Sequence, residues 1–160
     1  MAVSKAQMIR AFNEVAEEAA ILGYEDIITS GWSISFNRRK TALGVCRYRS
    51  KTVEISVEFM ETCDFETLEN TIKHEIAHAI AGHAAAHGPE WKAVHRSLGG
   101  TATRCTDVGD ARPKHSWELY YPATGQVVST YHRKPRVSLE RVYIRGKKSE
   151  TLGKLKLRKV

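Results

Sequence analysis

Two histidines four residues apart, His74 and His78, stand in a stretch whose apolar residues also recur every fourth position: Leu68, Ile72, Ile76 and Ile80. A helix turns about 100° per residue, so this spacing gives one apolar stripe and sets both imidazoles on one face, a turn apart. Asp64 is placed to cap such a helix, Glu66 and Glu69 suit its positive end, and Gly82 is placed to stop it. Imidazoles arranged this way can both reach one Zn²⁺ at about 2.0–2.1 Å. Glu75, one residue on from His74, then lies beside the metal rather than on it. That position suits a base that takes a proton from a metal-bound water, whose pKa zinc brings to near 7.

A catalytic zinc usually keeps three protein ligands and one open position. Candidates for the third are His83 and His87. Were the helix to continue, His83 would point about 140° away from His78. His87 follows Gly82 and the small residues Ala84-Ala85-Ala86, which allow the chain to fold back, and it directly precedes a Gly88-Pro89 helix start. His87 is therefore the preferred ligand. His95, His115 and His132 have no partner pattern and read as ordinary core or surface histidines.

The flanks predict an α+β fold. From Ser4, a candidate N-cap, Met8, Phe12, Val15, Ala16 and Ala19 recur at helical spacing until Gly23, with Glu14, Glu17 and Glu18 on the outer side. Trp32, Ile34 and Phe36 alternate with polar residues, Leu43–Tyr48 reads as extended, and Thr52–Val57 alternates again, together suggesting a small antiparallel sheet. After the histidine helix, Pro89 opens another whose buried face is Trp91, Val94 and Leu98, ended by Gly99-Gly100. Further on, Trp117, Leu119 and Tyr121 alternate into a Pro122–Gly125 turn and a return strand at Val127–Tyr131. A second pairing is expected around Val137–Ile144, and a loosely ordered tail from Gly146.

Charge divides the chain in two. Residues 1–110 hold 12 Lys and Arg against 15 Asp and Glu, a balance of −3, whereas residues 111–160 hold 13 against 3, a balance of +10. The expected organisation is a core over 1–110 and a basic, β-rich extension over 111–160. Arg133, Lys134, Arg136, Arg141, Arg145, Lys147, Lys148, Lys154, Lys156, Arg158 and Lys159 make that extension a candidate for phosphate contact, with Tyr131 and Tyr143 available to stack on bases. The three cysteines, Cys46, Cys63 and Cys105, form no C-x-x-C and read as free thiols. No apolar run approaches the roughly 20 residues of a membrane helix, and no secretory pattern opens the chain, so a cytoplasmic location is expected, in a bacterial or phage-infected cell.

The motif H-E-I-A-H-A at 74–79 and the segment H-G-P-E-W-K at 87–92 resemble the SprT-like zinc metallopeptidases, over roughly Trp32 to Leu98. The second segment discriminates more, because H-E-x-x-H occurs in many unrelated peptidases. The metzincin spacing would instead require a histidine at position 84, which is alanine. The resemblance implies a zincin-like minimal core, His74, His78 and His87 as ligands of one Zn²⁺ per chain, Glu75 as general base and Trp91 as a packing residue. It also implies a protein or peptide substrate, and makes proteins attached to DNA, and so nucleoid association, a plausible setting. Many such proteins continue into a zinc ribbon of paired C-x-x-C knuckles, whereas residues 117–160 contain no cysteine, as in a ribbon without its metal or an unrelated extension. No residue declares itself a second oxyanion donor; Arg47 and Tyr48 are the nearest guesses. The alternative reading is a nucleic-acid-binding protein or adaptor with a structural or silent zinc site, although such a site has no need of Glu75.

Overall fold

A computed structural model describes residues 2–104 and 107–160, which form two compact units, Met1–Pro113 and Lys114–Val160. The division falls three residues beyond the point at which the composition shifts.

In the first unit α1 (Lys5–Ile21) opens with a capping box: the Ser4 hydroxyl accepts from the Gln7 N–H, and the Gln7 side chain accepts from the Ser4 N–H. Its buried face is the predicted one, Met8, Phe12, Val15, Ala16 and Ala19, joined by Ala11. A short α2 (Asp26–Thr29) leads to β1 (Ser33–Asn37), β2 (Gly44–Arg47) and β3 (Thr52–Ser56). The sheet differs from the antiparallel one expected. Its order is β1-β3-β2, with β2 antiparallel to β3 but β1 parallel to it. Alternation reports which face is buried and is silent on strand direction. The strand with two fully buried apolar residues, Val53 and Ile55, takes the centre, and the less buried strands take the edges. Val57, expected to continue β3, instead begins α3 (Val57–Met60), which buries Phe59 and Met60.

The long α4 (Phe65–Ala81) has its predicted cap, with Asp64 accepting from the Thr67 N–H at 2.8 Å. Leu68, Ile72 and Ile76 are wholly buried, each contributing on the order of 1.5–3 kcal/mol of transfer free energy. This helix packs against α1, β2, β3 and α5 (Pro89–Ser97), and so carries the middle of the core. Among the described residues no helix is long and apolar enough to cross a membrane. Cys46 and Cys63 are free thiols; Cys105 lies outside the described residues.

In the second unit β4 (Trp117–Tyr121) pairs antiparallel with β5 (Gln126–Tyr131) across the predicted turn, where Gly125 takes a positive φ of 75°. Two expectations are corrected here. Residues 137–144 form no strand but contain a 3-10 turn, Leu139–Arg141. The tail beyond Gly146 is ordered as α6 (Lys148–Thr151) and β6 (Lys156–Lys159), and β6 pairs with the other edge of β4. The lysines mask a period-two pattern in which Leu155 is buried and Leu157 pairs with Leu119.

Candidate metal centre

Helix α4 presents His74 and His78 one turn apart, and the chain then reverses to bring His87 against them. Gly82 ends the helix with φ 87°, His83–Ala85 form a 3-10 turn, and Ala86 adopts a positive φ of 45°. Gly88 permits the tight return, since a Cβ there would lie 2.9 Å from the Ala85 carbonyl oxygen. The result is a cluster of three Nε2 atoms, with His78 to His87 3.0 Å and His74 to His87 3.2 Å. A tetrahedral ion bound at about 2.0–2.1 Å would space its ligands by about 3.3 Å, so the gaps are near those of a shared metal.

Protonation agrees with that use. Burial, reinforced by the neighbouring imidazoles, pushes His74 down to about 3 and His78 to about 4. His87 is also lowered, by burial and then by the charge of Arg104. All three are neutral at pH 7 and have lone pairs free for a cation. The donor set therefore fits a three-histidine zinc site.

Trp91 holds this cluster together. It is fully buried, its indole N–H donates to the His74 carbonyl at 3.2 Å, and its ring lies 4.6 Å from His74, 5.4 Å from His78 and 4.7 Å from His87. The packing role expected from helical phase thus comes with a hydrogen bond into the ligand helix. His95 is more than an ordinary core histidine: it is fully buried, its ring is 5.6 Å from His74, and its Nδ1 accepts from the Ala102 N–H at 3.1 Å.

Glu75 is 7% exposed, and burial raises its carboxyl to about 7, opposed by a hydrogen bond from the Cys46 N–H. The contact needs β2 very close to α4, and Gly44 allows it. A Cβ at Gly44 would stand 2.8 Å from Thr71 Cγ2 and 3.0 Å from Glu75 Cγ. Sequence reasoning missed Gly44 and the Cys46 amide, though a lone glycine within an extended run signals a close backbone approach.

The remaining candidates stand apart from the cluster. His83 is exposed, edge-on to the Tyr48 ring at 5.3 Å. Arg47 is paired with Glu54 at 2.9 Å. Burial, then the nearby Cys46 and Glu75, pushes the Tyr48 phenol up to about 12, so it keeps its proton. His115 pairs with Glu118 at 3.0 Å, and His132 Nδ1 lies 3.3 Å from the Lys114 carbonyl oxygen.

A search of curated proteins finds no significant match to the chain. The model of the SprT-like family matches residues 7–115, a span that takes in all but the first two residues of α1, the sheet, α4, the reversal and α5. The chain belongs to the SprT-like family.

Proposed function

We propose that this protein is a zinc-dependent peptidase in which His74, His78 and His87 hold the metal and Glu75 is the general base. The observation that carries this reading is a buried carboxylate, one residue along α4 from His74, beside three converging, neutral imidazoles. Zinc, when bound, supplies Lewis acidity toward a water and a peptide carbonyl. Glu75 accepts the proton on its carboxylate, and its raised pKa suits passing that proton on to a leaving amine. Gly44 lets β2 close over the Glu75 carboxylate, Trp91 fixes the ligand helix, and the reversal through Gly82 and Gly88 fixes His87. Strand β2 is an edge of its sheet, so an extended chain has a backbone to pair with next to Glu75.

The proposed substrates are proteins associated with DNA. Support comes from the second unit, where the cations stand on ordered structure: Lys134 lies 5.4 Å over the Trp117 ring and Lys148 5.2 Å over Tyr143. Arg158 is less available, being bonded to Glu118 and stacked on Tyr120. Binding through phosphates releases counterions, so affinity for an oligonucleotide should fall steeply with salt.

The test is to incubate the purified protein with an unfolded protein substrate, with and without a chelator, and then restore zinc. Cleavage that is lost to the chelator and regained with zinc is expected. No cleavage in any condition, with or without DNA, would turn the reading toward a binding protein.

A further inference from the structure

The cavity beside Glu75 has a chemical character of its own. It encloses about 310 Å³ and opens on His74 and Glu75. Leu43, Phe59 and Val108 make its apolar wall, Gly44 brings bare backbone to it, and Arg104 and Arg112 complete its lining; the charge of Arg104 also acts on His87. That volume has room for one amino-acid side chain.

Both arginines sit on segments pinned to the body of the site. Before Arg104, the Thr101 N–H donates to Asn70 Oδ1 at 3.2 Å and the Ala102 N–H to His95. Gly100 leaves room for the His95 ring, since a Cβ there would fall 1.9 Å from His95 Cδ2. Before Arg112, the Thr62 hydroxyl donates to the Ala111 carbonyl. Among the described residues neither guanidinium makes an ion pair. Among the described residues Glu75 is the one acid lining the cavity. Arginine is charged at every working pH, and its planar fork matches a carboxylate.

From this we infer that the cavity is a specificity pocket for an acidic side chain next to the scissile bond, with Arg104 and Arg112 as its charge partners. The inference rests on the peptidase reading and gives it a substrate class. A neutral side chain would gain nothing from the two cations, and a lysine would be repelled.

Two measurements test it separately from that reading. The first uses zinc-loaded Glu75→Gln protein and fluorescent peptides that differ only in carrying Glu, Gln or Lys at one central position. The Glu peptide should bind about tenfold tighter than the Gln peptide. Arg104→Ala and Arg112→Ala should each remove most of that preference, and Arg104→Glu with Arg112→Glu should transfer it to Lys. Both side chains are exposed, and an unchanged melting temperature will show that the variants fold. Equal affinity for the three peptides, or a preference that survives both substitutions, overturns the pocket. So does a loss of oligonucleotide binding in these variants while the Glu preference stays. The second maps cleavage sites of wild-type protein in an unfolded protein mixture, where Asp or Glu should be enriched at one fixed position. Cleavage without such enrichment sinks the pocket and leaves the peptidase. Peptide discrimination without any cleavage keeps the pocket and sinks the peptidase.

Discussion

In the first unit the polar groups that matter lie inside. Glu75 is 7% exposed and His95 fully buried, both within a core built from α1, α4 and α5. In the second unit the charges stand outside on a thin sheet, over a buried set in which Leu119, Thr151 and Leu155 are the described members. Burial makes the difference chemical. Inside, desolvation moves histidines down and a glutamate up, which readies lone pairs for a metal and a carboxylate for proton transfer. Outside, arginines and lysines form a positive surface, the kind of field that attracts polyanions. A buried site depends on the packing of its neighbours, whereas a charged surface depends mainly on a count of charges.

Substituting Glu75 by Gln breaks the buried site's chemistry with least change of shape. It should lower kcat/KM by about 10²–10⁴-fold while metal content stays at the wild-type value; activity within tenfold of wild type would contradict the base. Trp91→Ala should cost about 3–5 kcal/mol in denaturant unfolding and loosen the metal, since it removes a buried indole and its bond to the His74 carbonyl. Gly44→Ala should cost about 1–3 kcal/mol and reduce kcat with the metal kept, because β2 must back away from Glu75.

A further effect is on pH, in the zinc-free protein. His74 and His78 resist protonation that the unfolded chain accepts near 6.5, so their contribution favours folding above that pH and is lost below it. Glu75 works the other way: its raised pKa contributes stability below 4.5 that fades as pH rises through about 7. The melting temperature should therefore fall gently from pH 6.5 to 4.5 and more steeply below, down to about 4 where His78 protonates in the fold. Thermal melts across that range check the sign, and a flat profile would contradict the buried imidazoles.

Much of the first unit is legible from spacing. The period of Leu68, Ile72 and Ile76 gives α4, Asp64 and Gly82 give its ends, and Gly88-Pro89 gives α5 and the place of His87. These are local rules in which a residue type and its offset decide the structure. What escaped is non-local. The parallel β1–β3 pairing depends on which strand is most deeply buried, and the Cys46 amide reaches Glu75 only because two distant elements meet at Gly44. In the second unit the lysines around Leu155 and Leu157 suggest a loose tail, yet two leucines on one side suffice for a strand that has β4 to pair with.

If His74, His78 and His87 share one zinc, elemental analysis of the protein purified without chelators will show it. Wild type and His83→Ala should each hold about one zinc per chain, and His87→Ala should lose most of it. No zinc in the wild type, or equal zinc in the His87→Ala and His83→Ala variants, would contradict the site.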